Sequence, residues 1–191
     1  MGILQFIPFA AMITIIAATT LRGISIRQRT GDRPLAFLDA KGIQRVAGLS
    51  FAASCAALIA ASAIAASNGV REFALPAGII GLAGAAIAIV AQVQMGRAWR
   101  IGVRSGDAPL FVSHGLFKFS RNPIFVGMML VGFAATIASG LWWAWFALAI
   151  FVASCAVQVR IEEKHLEDSF GVHYRNFRMT VPRWLGFGGH K

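Results

Sequence analysis

Five stretches of this chain are apolar without interruption: residues 3–21, 46–67, 75–95, 124–139 and 141–159 contain no Lys, Arg, Asp or Glu. A helix needs roughly 20 such residues to cross a ~30 Å hydrocarbon core. Only the stretch 124–139 falls clearly short of that length. Backbone amides find no partner in lipid except one another, so runs of this kind predict α-helices. The fourth run is followed at once by Gly140 and then by Trp142, Trp143 and Trp145. Glycine favours the end of an apolar helix, and tryptophan favours the lipid–water boundary. The last two runs therefore predict a tight helical hairpin with its turn at one interface. Taken together, the pattern predicts an all-α, polytopic integral membrane protein of about five transmembrane helices. It forms one membrane domain over residues 1–191.

Composition agrees with this picture and charge refines it. Charged residues make up 14% of the chain, against roughly 25% in an average soluble protein. The net charge of +10 raises the question of nucleic acid, and the distribution of the charge answers it. Of the 18 basic residues, all but Arg71 fall in the first loop, the third loop or the segment after residue 159. With five spans these three regions lie on one side of the bilayer. By the positive-inside rule that side is the cytoplasm. The charge thus reflects topology, aided by attraction to anionic lipid. A nucleic-acid binder needs a separate solvated basic domain, and the sequence has none. The first run has no basic residue before it, whereas Arg22, Arg27 and Arg29 follow it. That polarity predicts an uncleaved anchor with its N-terminus outside.

Small residues recur on the third run, with Ala77, Gly81 and Ala85 four apart and Gly78 and Gly84 beside them. Such spacing lets helices approach closely in lipid, within the chain or in a homo-oligomer. Cys55 and Cys155 both sit inside apolar runs and read as small hydrophobes rather than a disulfide or a metal pair. No metal is assigned. Glu162 and His165 have the Glu-x-x-His spacing of a di-iron helix, but there is no second copy. His114, His173 and His190 show no ligand spacing.

Reactive side chains gather in two long segments on the basic side, 95–125 and 160–184. Long connectors between packed spans are more often functional than decorative. In the first, Arg121, Asn122 and Pro123 precede the fourth run, where Asn suits a helix cap and Pro the first helical position. In the second, Glu162 and Glu163 lie just past the fifth run, on a continuation of the same helix. Successive residues on a helix point ~100° apart, so one glutamate can face a pocket while the other pairs with a nearby cation. Leu166, Phe170, Tyr174 and Phe177 follow as an apolar stripe facing lipid or core.

The ordered set Gly115-Leu116-Phe117, Arg121-Asn122-Pro123-Ile124-Phe125, Gly127, an apolar hairpin, Glu162-Glu163, Phe170-Gly171, Tyr174 and Val181-Pro182-Arg183 resembles the isoprenylcysteine carboxyl methyltransferase family, relatives of the phospholipid N-methyltransferases. The resemblance covers about residues 95–185. It implies a membrane-embedded methyltransferase dependent on S-adenosylmethionine, with a cytoplasmic cofactor pocket built from the third loop and the C-terminal segment. The acceptor it implies is a membrane-soluble lipid or isoprenoid-like molecule. Carried over by position, Pro109, Leu110, Phe111, Val112 and Phe117 line the cofactor, as do Asn122, Pro123, Ile124 and Phe125. Glu163 contacts the cofactor's ammonium, and Arg121 or loop amides bind its carboxylate. Arg160 is the candidate for an anionic part of the substrate. Gln158 occupies the position where some members of the family carry this arginine, two residues earlier. A carboxylate acceptor needs no base; a protonated amine needs one, and Glu162 or His165 is then the choice. Phe117 or Trp99 offers an aromatic face to the sulfonium or to adenine. Two rival readings are a membrane sterol-type reductase using a nicotinamide cofactor and a non-catalytic helical partner subunit.

The charge distribution makes a direct prediction. A topology reporter fused after Lys191 is expected to score as cytoplasmic. A score from the opposite side of the membrane overturns the orientation and, with it, the location of the pocket.

Overall fold

The computed structural model describes residues 3–30, 41–68, 71–96 and 111–186, which are helical with no strand among them. Among these residues six α-helices follow in order: α1 Ile7–Thr30, α2 Gly42–Asn68, α3 Ala74–Met95, α4 Pro123–Ser139, α5 Trp142–Phe170 and α6 Val172–Thr180. Single 3-10 turns precede α1, α3 and α4. By length and composition α1, α2, α3 and α5 are each able to cross a membrane, whereas α4 has 17 residues. At a rise of ~1.5 Å per residue α4 is about 25 Å long, slightly less than the hydrocarbon core. Its position makes up for this, because α4 packs against α1, α2, α3 and α5 and is sheathed by protein.

The α4–α5 hairpin forms as the sequence predicts. Gly140 caps α4 with φ +64°, a left-handed conformation that glycine adopts without cost. Trp142 and Trp145 begin α5 with their rings 74% and 50% exposed, at the turn end of the hairpin. The helix then runs for 29 residues, about 43 Å, so its last turns stand beyond any ~30 Å core. Glu162 and Glu163 lie on that extension.

The closest helix pair is α3 with α4, and glycine makes it so. A methyl group added at Gly127 would stand 2.5 Å from the Gly84 carbonyl oxygen and 2.6 Å from the Ala88 nitrogen. The two backbones therefore touch directly, with no side chain between them. The rest of the small-residue stripe is occupied from within the chain. Ala77 and Ala85 are buried, and a methyl group added at Gly81 would stand 3.5 Å from Pro8 Cα and 3.6 Å from Ala134 Cβ. Within the chain, α1 and α4 pack against that face. The core continues through Leu58, Val131, Phe151 and Cys155, with the Phe51 and Phe151 ring centroids 5.1 Å apart.

Replacing Gly127 with Leu is expected to cost about 3 kcal/mol, the upper end of overpacking penalties, because backbone rather than side chains must yield. Thermal unfolding in detergent checks this, with Leu82→Ala, a change at an outward-facing residue of α3 that is 57% exposed, as the unaffected control.

Candidate functional site

The site begins with the Glu163 carboxylate, which is 5% exposed. Arg121 reaches its Oε1 from Nη2 at 2.9 Å and from Nε at 3.1 Å. Arg183 grips both oxygens, Nη2 to Oε2 at 2.8 Å and Nε to Oε2 at 3.1 Å and Oε1 at 3.2 Å. Asn122 Nδ2 adds a longer bond to Oε1 at 3.4 Å. One carboxylate thus holds together the start of α4, the extension of α5 and the chain after α6. Planar guanidinium groups suit this task because each presents paired N–H donors to a carboxylate. The Arg183–Glu163 bonds hold the Arg183 guanidinium above its ordinary pKa.

Backbone bonds close the same junction. The amide of Arg121 donates to the Pro182 carbonyl at 2.9 Å. Arg121 Nη1 donates to the carbonyls of Arg178 at 2.9 Å and Val181 at 3.3 Å. Asn122 sits at the N-cap of α4 but makes no side-chain cap bond. Its Nδ2 instead donates to the Arg183 carbonyl at 3.1 Å, and its backbone amide donates to Ser120 Oγ at 3.0 Å. The expected capping role of Asn122 is therefore replaced by a role in the junction. Gly115, with φ +61°, rests on the Gln94 side chain where no Cβ fits, and Gln94 Oε1 accepts from the Leu116 amide at 2.8 Å.

Behind this junction lies a cavity of about 230 Å³. Phe117 and the run from Arg121 to Phe125 form one wall, and Gln158 and Glu162 on α5 form another. The remaining lining comes from α1 through Thr19, from α2 through Ala47, Gly48, Phe51 and Ala52, and from α3 through Gln92 and Met95. Met128 closes the space within α4. Glu162 faces the cavity and accepts from Gln158 Nε2 at 3.2 Å. The two glutamates divide their work as their ~100° separation requires.

The expected site residues fall into four groups. Phe117, Arg121, Asn122, Pro123, Ile124, Phe125 and Glu162 border the cavity. Glu163 does not, and its partners are guanidinium groups of the protein, where the resemblance led us to expect a cofactor ammonium. Arg160 is exposed and borders no part of the cavity, because it lies about 200° around the helix from both Gln158 and Glu162. Phe111 packs in an aromatic cluster instead, its ring centroid 5.5 Å from Phe170, 6.0 Å from Tyr174 and 5.0 Å from Phe177. Val112 does not reach the cavity either. Pro109, Leu110 and Trp99 lie outside the described residues.

That cluster shows where the stripe on α5 and α6 is directed: toward the protein. Burial, with the Glu163 charge nearby, pushes the Tyr174 phenol well above its usual pKa, so it serves as a packed ring rather than an acid. Sequence reasoning missed Thr19, Gln92, Gln158 and the α2 wall. Single polar residues inside apolar spans were the available signal.

Fold and site together describe a bundle of membrane-type helices with a cavity at its basic end, floored by a carboxylate and walled by aromatic and aliphatic side chains. The phospholipid methyltransferase (PEMT) family model matches residues 77–173, half of the chain. The chain belongs to that family, a family of membrane methyltransferases. An uncharacterized protein of Haemophilus influenzae is 33% identical over 63 residues, covering 32% of this chain and 100% of that protein. No solved structure matches the chain.

Breaking the junction has a predictable cost. Glu163→Gln removes the charge shared by Arg121 and Arg183, and losing one member of a buried pair costs roughly 3–5 kcal/mol. With Arg183 37% exposed, the lower end of that range is expected. Chemical unfolding of the purified variant measures it; stability within 1 kcal/mol of the parent, a loss on the order of a surface pair, refutes the junction's role.

Proposed function

We propose that the protein is an S-adenosylmethionine-dependent methyltransferase acting on a membrane-soluble lipid or isoprenoid-like acceptor, with the cavity at the basic end as its reaction chamber. The observation that carries this reading is that the motif residues Phe117 and Arg121 to Phe125 meet Glu162 around one space. S-adenosylmethionine brings an electrophilic methyl group on a sulfonium. The lining suits such a molecule: Phe117 and Phe125 offer ring faces to a cation or a purine, and the edge of Arg121 offers a charged donor. The positive-inside rule puts this end of the bundle in the cytoplasm, where the cofactor is made.

Methyl transfer asks little bond chemistry of a protein. Alignment of donor and acceptor supplies up to roughly 7–11 kcal/mol of the barrier. The walls achieve that alignment and exclude water. Where the acceptor is a protonated amine, Glu162 takes the proton, freeing the lone pair before attack. Gln158, through its bond to Glu162, sets the direction of that carboxylate. Glu163 acts at one remove, fixing Arg121 and Asn122 in the wall. Arg160 has no part in the methyl-transfer step.

Calorimetry on the detergent-solubilised protein tests this. S-adenosylmethionine or its demethylated product is expected to bind in the low-micromolar range, roughly −8 kcal/mol. Binding of a nicotinamide dinucleotide, with none of the sulfonium cofactor, would instead establish the reductase reading. Glu162→Gln is expected to lower turnover of an amine acceptor on the order of 100-fold while cofactor affinity stays within about threefold.

A further inference from the structure

Two polar side chains in the cavity remain without a role in the chemistry above. Thr19 lies on α1, outside the stretch matched by the family, and Gln92 lies on α3. Both border the cavity. Gln92 is 3% exposed, and its Nε2 donates to Thr19 Oγ1 at 3.0 Å. Among the described residues the Thr19 hydroxyl donates to no partner, and the Gln92 carbonyl oxygen accepts from none. In this respect Thr19 differs from Thr14 on the same helix, whose hydroxyl donates to the Ala10 carbonyl one turn back at 2.7 Å. The pair therefore presents one donor and one acceptor to a space whose neighbouring walls, Ala47, Phe51, Ala52 and Met128, are apolar. Polar groups held in such surroundings are costly unless something completes their bonds.

Depth says what that partner is. Thr19 stands three residues before Arg22, and Gln92 three residues before Met95, where α3 ends. At ~1.5 Å per residue Thr19 lies about 5 Å before the first basic residue of α1, and Gln92 about 5 Å before the end of α3. A lipid anchored there keeps its charged headgroup at the level of Glu162 and its chains among the apolar walls. What lies between is the neutral, oxygen-bearing neck of the molecule.

We infer that Thr19 and Gln92 form a subsite for a neutral oxygen of the acceptor lipid, an ester carbonyl or a hydroxyl, and so help decide which lipids are methylated. The Thr19 hydroxyl donates to that oxygen, while Gln92 holds the hydroxyl in place and accepts from any hydroxyl the ligand brings. The inference rests on the methyltransferase reading but is separable from it, because cofactor binding requires neither side chain.

The test uses the full chain in detergent micelles, S-adenosylmethionine carrying a labelled methyl group, and a bacterial polar lipid extract as acceptor. Thr19→Val keeps the shape and removes the hydroxyl; Thr19→Ser restores a hydroxyl; Gln92→Leu removes the amide. Thr19→Val and Gln92→Leu are each expected to raise KM for the lipid extract about 2- to 12-fold, the value of one hydrogen bond. The kcat and the calorimetric affinity for S-adenosylmethionine are expected to hold, and Thr19→Ser to return KM to the parent value. Unchanged KM in both variants overturns the subsite and leaves the pair as an interhelical bond only. Weakened cofactor affinity with unchanged KM also overturns it, by assigning the pair to the cofactor. Absence of labelled lipid from the parent protein removes the lipid-acceptor reading and the subsite with it, whereas intact cofactor binding in that case preserves the cofactor assignment.

Discussion

The Glu163 carboxylate is the interaction on which the site depends. It joins three parts of the chain at one point: the entry to α4, the extension of α5, and the segment after α6. A carboxylate that is 5% exposed is tolerable only with its charge balanced, and two guanidinium groups on two oxygens meet that need. The consequence is geometric. Arg121 and Asn122 are held from behind, so their other edges form a fixed cavity wall rather than a mobile loop. Preorganisation of this kind is what a reaction governed by alignment requires.

The second constraint is the glycine contact between α3 and α4. Gly84 and Gly127 bring the two backbones into contact, which places the start of α4, and so the wall from Arg121 to Phe125, directly beside the end of α3. Gly115 repeats the device outside the helices by seating the preceding turn on Gln94. The motif that led to the family resemblance therefore mixes two kinds of position. Gly115, Gly127, Glu163 and Arg183 set distances between backbones and segments, while Phe117, Arg121 to Phe125 and Glu162 face the cavity. A motif read from sequence does not separate these kinds, and this is why Glu163 looked like a cofactor contact.

Most of the fold was legible in the chain because lipid imposes a strong rule on apolar length. The runs 46–67 and 75–95 correspond to helices Gly42–Asn68 and Ala74–Met95, and the break at Gly140 is where the hairpin turns. The ends were less legible. Helix α1 continues to Thr30, past Arg22 and Arg27, and α5 continues to Phe170, because polar residues leave the membrane without ending a helix. Phe170 is followed by Gly171 at φ +53°, which does end it. On the site, the residues carried by local motif were found, whereas Thr19, Phe51 and Gln158 were not. Each is one residue in a span whose pattern is set by hydropathy, and its direction depends on helix rotation, which a helix apolar on all sides leaves undetermined by sequence.

The distribution of charge around the cavity has a further consequence for the choice of acceptor. Arg121 borders the space, yet its guanidinium is matched by Glu163. Glu162 borders the same space with a neutral amide as its hydrogen-bonding partner. Among the described residues Glu162 thus has no cation as its hydrogen-bonding partner, and in its ionised form it presents negative charge to a ligand. A carboxylate acceptor brought against Glu162 would meet like charge in surroundings that screen it poorly, whereas an ammonium would be drawn in and then relieved of its proton. On the proposed methyltransferase reading, such a wall favours an amine-bearing acceptor over an anionic one. With a neutral amide at position 158, the carboxylate that would take an amine's proton is oriented by a hydrogen bond and not by an ion pair.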